Sequence, residues 1–112
     1  RVAREVLLTL ADQPVVWAES QIISSSEESR WLSILDRGKS PLGAKLFDGS
    51  LSLKRTPFEY ALIERSSRLF HHIVSQSNEE WSDCKRLIAR RSRFDLLGEQ
   101  LSLIEVYLPP LY

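Results

Sequence analysis

The sequence contains little cysteine, has no net charge and lacks a long apolar run, and each absence excludes a class of protein. Cys84 is its one cysteine, which excludes an internal disulfide and a site with several thiolate ligands. The 15 Lys and Arg residues balance 15 Asp and Glu residues, so no broad positive field attracts nucleic acid or anionic lipid. No apolar run reaches the length of a membrane-spanning helix, and residues 1–4 do not lead into the apolar core of a signal peptide. We therefore expect a soluble protein in a reducing, cytoplasmic compartment, without nucleic acid or membrane insertion.

What remains is the composition of an ordinary globular domain. Hydrophobic residues make up 43% of the chain and charged residues 27%, which argues against disorder and against a fibrous protein. A length of 112 residues predicts a single domain over residues 1–112. The chain begins at Arg1, without Met, in a strand-like stretch, which suggests processing or a fragment whose front segment is missing.

Both ends of the chain carry strand patterns that predict hairpins. The first pairs residues 1–10, which include Arg4 among aliphatic residues, with residues 15–23 across a turn at residues 11–14. The second pairs residues 86–97 with residues 101–108 across residues 98–100, and the Pro-Pro sequence that follows cannot continue a strand.

Helical patterns lie between the hairpins. They begin at a Ser25 and Glu28 capping box, at Ser40 with Pro41 in the first helical position, and at Ser67 for a helix to Val74; a strand-like stretch covers 51–63 and a polar loop 75–83. Strands at both ends with helices between them predict an α+β domain in which helices cover an antiparallel sheet.

Glu105 is the strongest candidate for chemistry that the residue pattern offers. On its predicted strand it shares a face with Leu103 and Tyr107, and aliphatic residues cover the other face. A carboxylate in such a strand needs a partner or stays protonated, and both states are common at functional sites. The alternative is an edge-strand glutamate that reaches solvent or pairs with a structural arginine, and the spacing leaves both open.

Arg4 raises the same question with the opposite charge. A guanidinium on an apolar strand face needs a carboxylate or backbone acceptors, and it is suited to hold a substrate carboxylate through two hydrogen bonds. An internal salt bridge with Glu105 is the alternative, which the residues alone favour. The backbone N–H of Leu42, at the start of the second predicted helix, is a weaker candidate for binding an anion.

Other polar residues carry weaker signals. Alternation places Arg91 and Arg93 on one strand face and Arg90 and Ser92 on the other, which is typical of a small solvated basic patch. His71 and His72 are adjacent on a predicted helix and point apart, which makes them surface histidines rather than a metal site. Cys84 and Ser92 lack the sequence signature of a nucleophile.

Three segments also form an ordered set: Arg4-Glu5-Val6-Leu7-Leu8; Gly38-Lys39-Ser40-Pro41-Leu42-Gly43 with Leu46-Phe47; and Arg90-Arg91-Ser92 followed by Glu105-Val106-Tyr107-Leu108-Pro109. Together they resemble the chorismate pyruvate-lyase family over essentially the whole chain. The resemblance implies one antiparallel sheet with helical flaps that cover a buried ligand pocket, a monomer, and no metal or cofactor. It also implies a carbon-oxygen lyase that converts chorismate into pyruvate and 4-hydroxybenzoate, a ubiquinone precursor.

The resemblance implies a role for each candidate residue. Arg4 and the Leu42 N–H would hold the ring carboxylate of substrate and product. Glu105 would bind the ring hydroxyl at the opposite end and assist proton movement as the catalytic residue. The family usually has arginine where this chain has Glu19, a reversal that would oppose a dianionic substrate unless Arg91 or Arg93 compensates.

Two other functions remain open from the sequence. The effector-binding domains of one group of bacterial transcription regulators resemble the same fold, so a small-molecule sensor without catalysis is the first alternative. A degenerate lyase that binds 4-hydroxybenzoate without turnover is the second, because of Glu19 and the missing front segment of the family.

Overall fold

The computed structural model describes residues 3–23, 54–79, 81–96 and 99–112. Within these ranges the chain forms six strands of one sheet, one α-helix and a terminal 3-10 helix. In chain order they are β1 (Ala3–Leu10), β2 (Gln13–Ile22), β3 (Lys54–Arg55), β4 (Glu59–Glu64), α1 (Arg68–Ser77), β5 (Arg86–Leu96), β6 (Glu99–Tyr107) and the 3-10 helix (Pro109–Leu111).

The described strands form a single antiparallel sheet. Its order is β1-β2-β6-β5, and both β3 and β4 pair with the outer edge of β5. The sheet and its helix confirm the predicted α+β arrangement. The helices predicted after Ser25 and Ser40 lie outside the described residues, so the helical flaps and the buried pocket stay predictions.

The first hairpin is confirmed, but its turn is shorter than predicted. Ala11 and Asp12 have φ values of 51° and 65°, the left-handed conformation that reverses a chain within two residues. Gln13 and Pro14 therefore belong to β2 and not to the turn. The register shifts between Leu8 and Thr9, next to a proline that has no N–H to donate to the ladder.

The closing hairpin is also confirmed, and it lies at the centre of the sheet. Glu99 and Gln100 pair with Leu96 and Asp95, so they extend β6 instead of forming the predicted turn. β6 lies between β2 and β5, and the chain leaves the sheet after Tyr107 in a 3-10 turn, as the two prolines predict.

The helix α1 begins where the sequence predicts and ends three residues later. The Ser67 hydroxyl accepts a hydrogen bond from the Phe70 N–H at 3.1 Å, which caps the first turn. Asn78 ends the helix in the left-handed conformation, and its N–H donates to the carbonyl of Val74. The prediction of a loop from residue 75 is therefore wrong for residues 75–77, because the capping asparagine, not the loss of apolar residues, ends the helix.

The helix covers one face of the sheet, which we call the helix face. Its core consists of apolar side chains from the helix, from β2, β5 and β6 and from the residue after β6, all 4% exposed or less: Trp17, Phe70, Ile73, Leu87, Ala89, Val106 and Leu108. The opposite face carries the side chains of Arg4, Ser92, Leu103 and Glu105, as the strand pairing requires, and we call it the Glu105 face.

Candidate functional site

Two of the three predicted site residues lie on the Glu105 face. Arg4 is opposite Ser20 on β2, Ser20 is opposite Leu103 on β6, and Glu105 is two residues further along β6. Two strand spacings and one two-residue step put the Cα atoms of Arg4 and Glu105 roughly 12 Å apart. That span has room for one substituted benzene ring with a hydrogen bond at each end. Leu42, the third predicted residue, lies outside the described residues.

Glu105 forms a two-point ion pair with Arg90 on the neighbouring strand. The two residues are directly opposite in the β5–β6 pairing. Arg90 Nε donates to Glu105 Oε1 at 2.6 Å, and Arg90 Nη2 donates to Glu105 Oε2 at 3.3 Å. Their side chains are 25% and 17% exposed, so the pair is largely withdrawn from solvent. The hydrogen bond to Glu105 raises the pKa of Arg90, although burial acts against it.

This pair shows which residue is the partner of Glu105. The edge-strand alternative is wrong, because β6 has a neighbour on each side. The Glu105 carboxylate has the partner that its apolar surroundings require, and that partner is Arg90. Sequence reasoning treated Arg90 as part of a solvated patch. Its assignment to the same strand face as Ser92 was correct, but which residue stands opposite it depends on the strand register.

An aromatic side chain supports Arg90 from the edge of the sheet. The Arg90 guanidinium lies 4.2 Å from the centroid of the Phe58 ring, and the Arg55 guanidinium lies 4.0 Å from the same centroid. The centroid of the Tyr107 ring lies 5.9 Å from the Arg90 guanidinium. These are cation–π distances, so Arg90 has favourable contacts that hold it beside Glu105.

Phe58 reaches this position through an irregularity in the edge strand. Arg55 pairs with Phe94 and Glu59 pairs with Arg91, so three residues of the edge oppose two of β5. The extra residue makes a bulge that contains Pro57, which cannot donate to the ladder. The sequence predicted one continuous strand-like stretch over residues 51–63, and it carried no signal that Phe58 contributes to a site.

Ser92 and Tyr107 also lie on the Glu105 face. Ser92 is 1% exposed, and within the described residues its hydroxyl has no hydrogen-bond partner. Tyr107 follows Glu105 on the same face, and burial raises the pKa of its phenol, with Glu105 acting in the same direction and Arg90 in the opposite one. The phenol therefore stays protonated and remains a donor at neutral pH.

Glu19 lies on the other side of the sheet. The pairing Glu5–Glu19–Ile104–Arg91 puts it on the helix face, where its carboxylate accepts a hydrogen bond from Gln21 Nε2 at 2.9 Å. Its charge therefore does not face Arg4 and Glu105. Arg91, considered as compensation for Glu19, lies on the helix face too and pairs with Glu59 at 3.1 Å in an exposed position.

The two histidines are on the surface, as predicted, but one of them contacts the sheet. His72 Nε2 forms a hydrogen bond with Glu5 Oε1, which also accepts a hydrogen bond from Trp17 Nε1 at 2.9 Å. These three side chains tie α1 to β1 and β2 on the helix face. In the described ranges no group of three metal-binding side chains occurs, and no helix there is long and apolar enough to cross a membrane.

Comparisons with known proteins point to one family. The family model described as chorismate lyase matches residues 2–112. A probable chorismate pyruvate-lyase of Idiomarina loihiensis is 34% identical over 97% of this chain and 54% of its own length. Proteins of the same name from Nitrosospira multiformis and Aromatoleum aromaticum are 32% and 34% identical, over 58% and 56% of their lengths. The chain thus spans little more than half the length of these relatives, and no solved structure matches it.

Proposed function

Because this chain belongs to the chorismate lyase family, we propose that it eliminates pyruvate from chorismate and releases 4-hydroxybenzoate. The observation that carries the proposal is the presence of Arg4 and Glu105 on one sheet face, at a separation that suits a small aromatic acid. We propose that it acts as a cytoplasmic monomer in the supply of a ubiquinone precursor, without a metal or cofactor.

In this proposal the ligand is held at its two ends. Arg4 binds the ring carboxylate through its planar guanidinium, and the backbone N–H of Leu42 donates to the same carboxylate. Glu105 accepts a hydrogen bond from the ring hydroxyl. A carboxylate has about four acceptor positions, and Arg90 uses one on each oxygen, so acceptor capacity remains for the ligand.

The reaction needs orientation more than it needs a strong catalyst. The bond between the ring carbon and the ether oxygen breaks, and the enolpyruvyl group leaves with the electron pair of that bond. The ring carbon that bears the hydroxyl loses its hydrogen as a proton, the ring becomes aromatic, and the enolpyruvate takes up a proton to give pyruvate. Aromatisation drives this elimination, and the protein contributes by orienting and desolvating the substrate. Glu105, next to the hydroxyl, is the candidate that assists proton movement.

The test is chorismate turnover by the purified chain. We expect 4-hydroxybenzoate, separated by chromatography, and pyruvate, measured with a coupled lactate dehydrogenase, to appear in equal amounts. Binding of 4-hydroxybenzoate without turnover would contradict the lyase and favour a binding module. Absence of both binding and turnover would contradict the proposal altogether.

A variant of Arg4 tests the proposed binding mode. In Arg4→Ala we expect the affinity for 4-hydroxybenzoate, measured by calorimetry, to fall by roughly 2–5 kcal/mol, the usual effect of truncating one member of a desolvated charge pair. Arg68→Ala, an exposed position at the start of α1, is the control and should leave the affinity unchanged. Equal affinity in a folded Arg4→Ala protein would remove Arg4 from the site.

A further inference from the structure

We propose that Arg90 is a positioning residue for Glu105 and that Phe58 positions Arg90 in turn. This inference rests on the proposed function, because it concerns how Glu105 meets the hydroxyl of the ligand. The sequence pattern indicated no role for Phe58, and for Arg90 it indicated a place in a small basic patch and in one family-like segment, without a partner. The unit joins three strand segments: β6 carries Glu105, β5 carries Arg90 and the bulge between β3 and β4 carries Phe58.

The first step is the orientation of the carboxylate. A glutamate side chain has three rotatable bonds, and one hydrogen bond would leave the carboxylate plane free to rotate. Arg90 contacts both oxygens from a rigid planar group, so the carboxylate plane is fixed with respect to β5. The unused acceptor positions then have defined directions, and a ligand hydroxyl meets an acceptor that is already in place.

The second step concerns charge. The proposed substrate carries two carboxylates, and a bare Glu105 carboxylate beside it would repel the ligand. The Arg90 guanidinium is within hydrogen-bond distance of both Glu105 oxygens and offsets this charge. Glu105 therefore keeps its capacity to accept a hydrogen bond without presenting an uncompensated negative charge.

The third step is the support of Arg90 itself. An arginine side chain is long and flexible, and Arg90 holds one position only if its surroundings restrict it. The Phe58 ring at 4.2 Å and the Tyr107 ring at 5.9 Å both attract the guanidinium. The backbone position of Phe58 is restricted as well, because Phe58 follows Pro57 in the bulge and the proline ring fixes the φ angle of Pro57.

The experiment compares two ligands that differ only in the group that Glu105 is proposed to contact. Benzoate has the carboxylate of 4-hydroxybenzoate but no hydroxyl. One hydrogen bond to a charged group predicts that the wild-type chain prefers 4-hydroxybenzoate by about tenfold or more. In Arg90→Gln we expect this preference to fall to within about threefold of unity. Benzoate lacks the hydroxyl that meets Glu105, so its affinity should fall less than that of 4-hydroxybenzoate, by the uncompensated Glu105 charge alone. In Arg90→Lys, which keeps the charge but not the two-point contact, the ligand preference should lie between those of the wild type and of Arg90→Gln.

Arg91→Gln is the matched control. It removes the same side chain from the next position of the same strand, but that side chain pairs with Glu59 on the helix face. We expect its ligand preference to equal that of the wild type. A merely structural role of Arg90 would weaken both ligands by the same factor and leave the preference intact. A preference that survives in folded Arg90→Gln and Arg90→Lys proteins would therefore overturn the inference.

Phe58→Leu tests the contact between Phe58 and Arg90 while it keeps an apolar side chain and most of its volume. We expect about a threefold loss of ligand preference, because the cation–π contact disappears and Arg90 gains freedom. The Arg90 Nε–Hε resonance, assigned through its absence in Arg90→Lys, provides a readout without ligand and should shift or broaden in Phe58→Leu. An unchanged resonance would remove Phe58 from the unit.

A wild-type chain without preference for the hydroxyl would contradict the proposed function, whereas a wild-type preference that Arg90→Gln retains would contradict this inference alone.

Discussion

Two neighbouring arginines on β5 show how the two faces of the sheet differ. Arg90 pairs with Glu105 on one face, and Arg91 pairs with Glu59 on the other. The side chains of the first pair are 25% and 17% exposed, whereas those of the second are 47% and 66% exposed. Residue types alone do not distinguish the pairs. The exposed pair is of the kind that contributes little to stability, while the shielded pair, joined at two points beside the candidate ligand surface, has the geometry of a site.

We propose that the faces also divide stability from function. The helix face carries the core that α1 covers. The charged residues on the strands of this face are exposed or half-buried. The Glu105 face combines buried apolar residues with the Arg90–Glu105 pair and with the Ser92 hydroxyl, which has no hydrogen-bond partner among the described residues. Substitutions in the buried core of the helix face should therefore change stability most, and ligand binding should respond to substitutions on the Glu105 face.

The largest effect is expected for Phe70→Ala on the helix face. Phe70 is 2% exposed at the centre of the α1 contact, and truncation of a buried phenylalanine costs about 3–5 kcal/mol of unfolding free energy. Leu62→Ala, a position that is 55% exposed on the Glu105 face, is the control and should cost less than about 1 kcal/mol. Urea unfolding measures both values. Similar losses in the two variants would mean that the helix does not form the main core.

Glu105→Gln should have the next largest effect on stability. The substitution leaves the Arg90 guanidinium in a shielded place without its counter-charge, and we expect a loss of about 1–3 kcal/mol. Glu59→Gln removes the corresponding carboxylate on the helix face and should cost less than about 0.5 kcal/mol, because that pair is exposed to solvent. The comparison fails if thermal unfolding shows equal losses for the two glutamates.

Ser92→Ala should stabilise the protein by a smaller amount. A buried hydroxyl without a partner in the described part of the chain carries a desolvation cost, so its removal should raise the unfolding free energy by about 1 kcal/mol. Thr in place of Ser92 keeps the hydroxyl and provides the control for side-chain volume. Loss of stability in Ser92→Ala would show that the hydroxyl has a partner in the folded protein.

The smallest expected effect concerns Tyr112 at high pH. Its hydroxyl donates to the carbonyl of Tyr107 at 2.7 Å and accepts from the Ile88 N–H at 3.1 Å, and burial raises the pKa of Tyr112. The stabilisation that the protonated Tyr112 hydroxyl provides is therefore complete below the ordinary tyrosine pKa of about 10, and it is lost as the pH rises through the higher pKa of the folded state. We expect the melting temperature to fall less steeply above pH 10 in Tyr112→Phe than in the wild type. Parallel curves from pH 8 upward would contradict this linkage.

The sequence predicted the local elements well and the contacts between them poorly. Ser67 was recognised as the start of α1, and both terminal hairpins were predicted, because caps and alternation depend on residues close together in the chain. The alternation also placed Arg90 and Ser92 on one face of their strand. It did not predict which residue stands opposite Arg90, since that depends on how two strands align.

By itself, the sequence determined the faces of the strands, the start of α1 and the presence of Arg4 and Glu105 among apolar neighbours. Only the tertiary structure decided that Glu105 meets Arg90, that Phe58 supports Arg90 and that Glu19 faces away from both Arg4 and Glu105. The reason is physical. A shift of one residue in strand register exchanges the faces of every side chain. Pro57 is a local signal of an irregular edge strand, but it does not indicate that the bulge brings Phe58 next to Arg90.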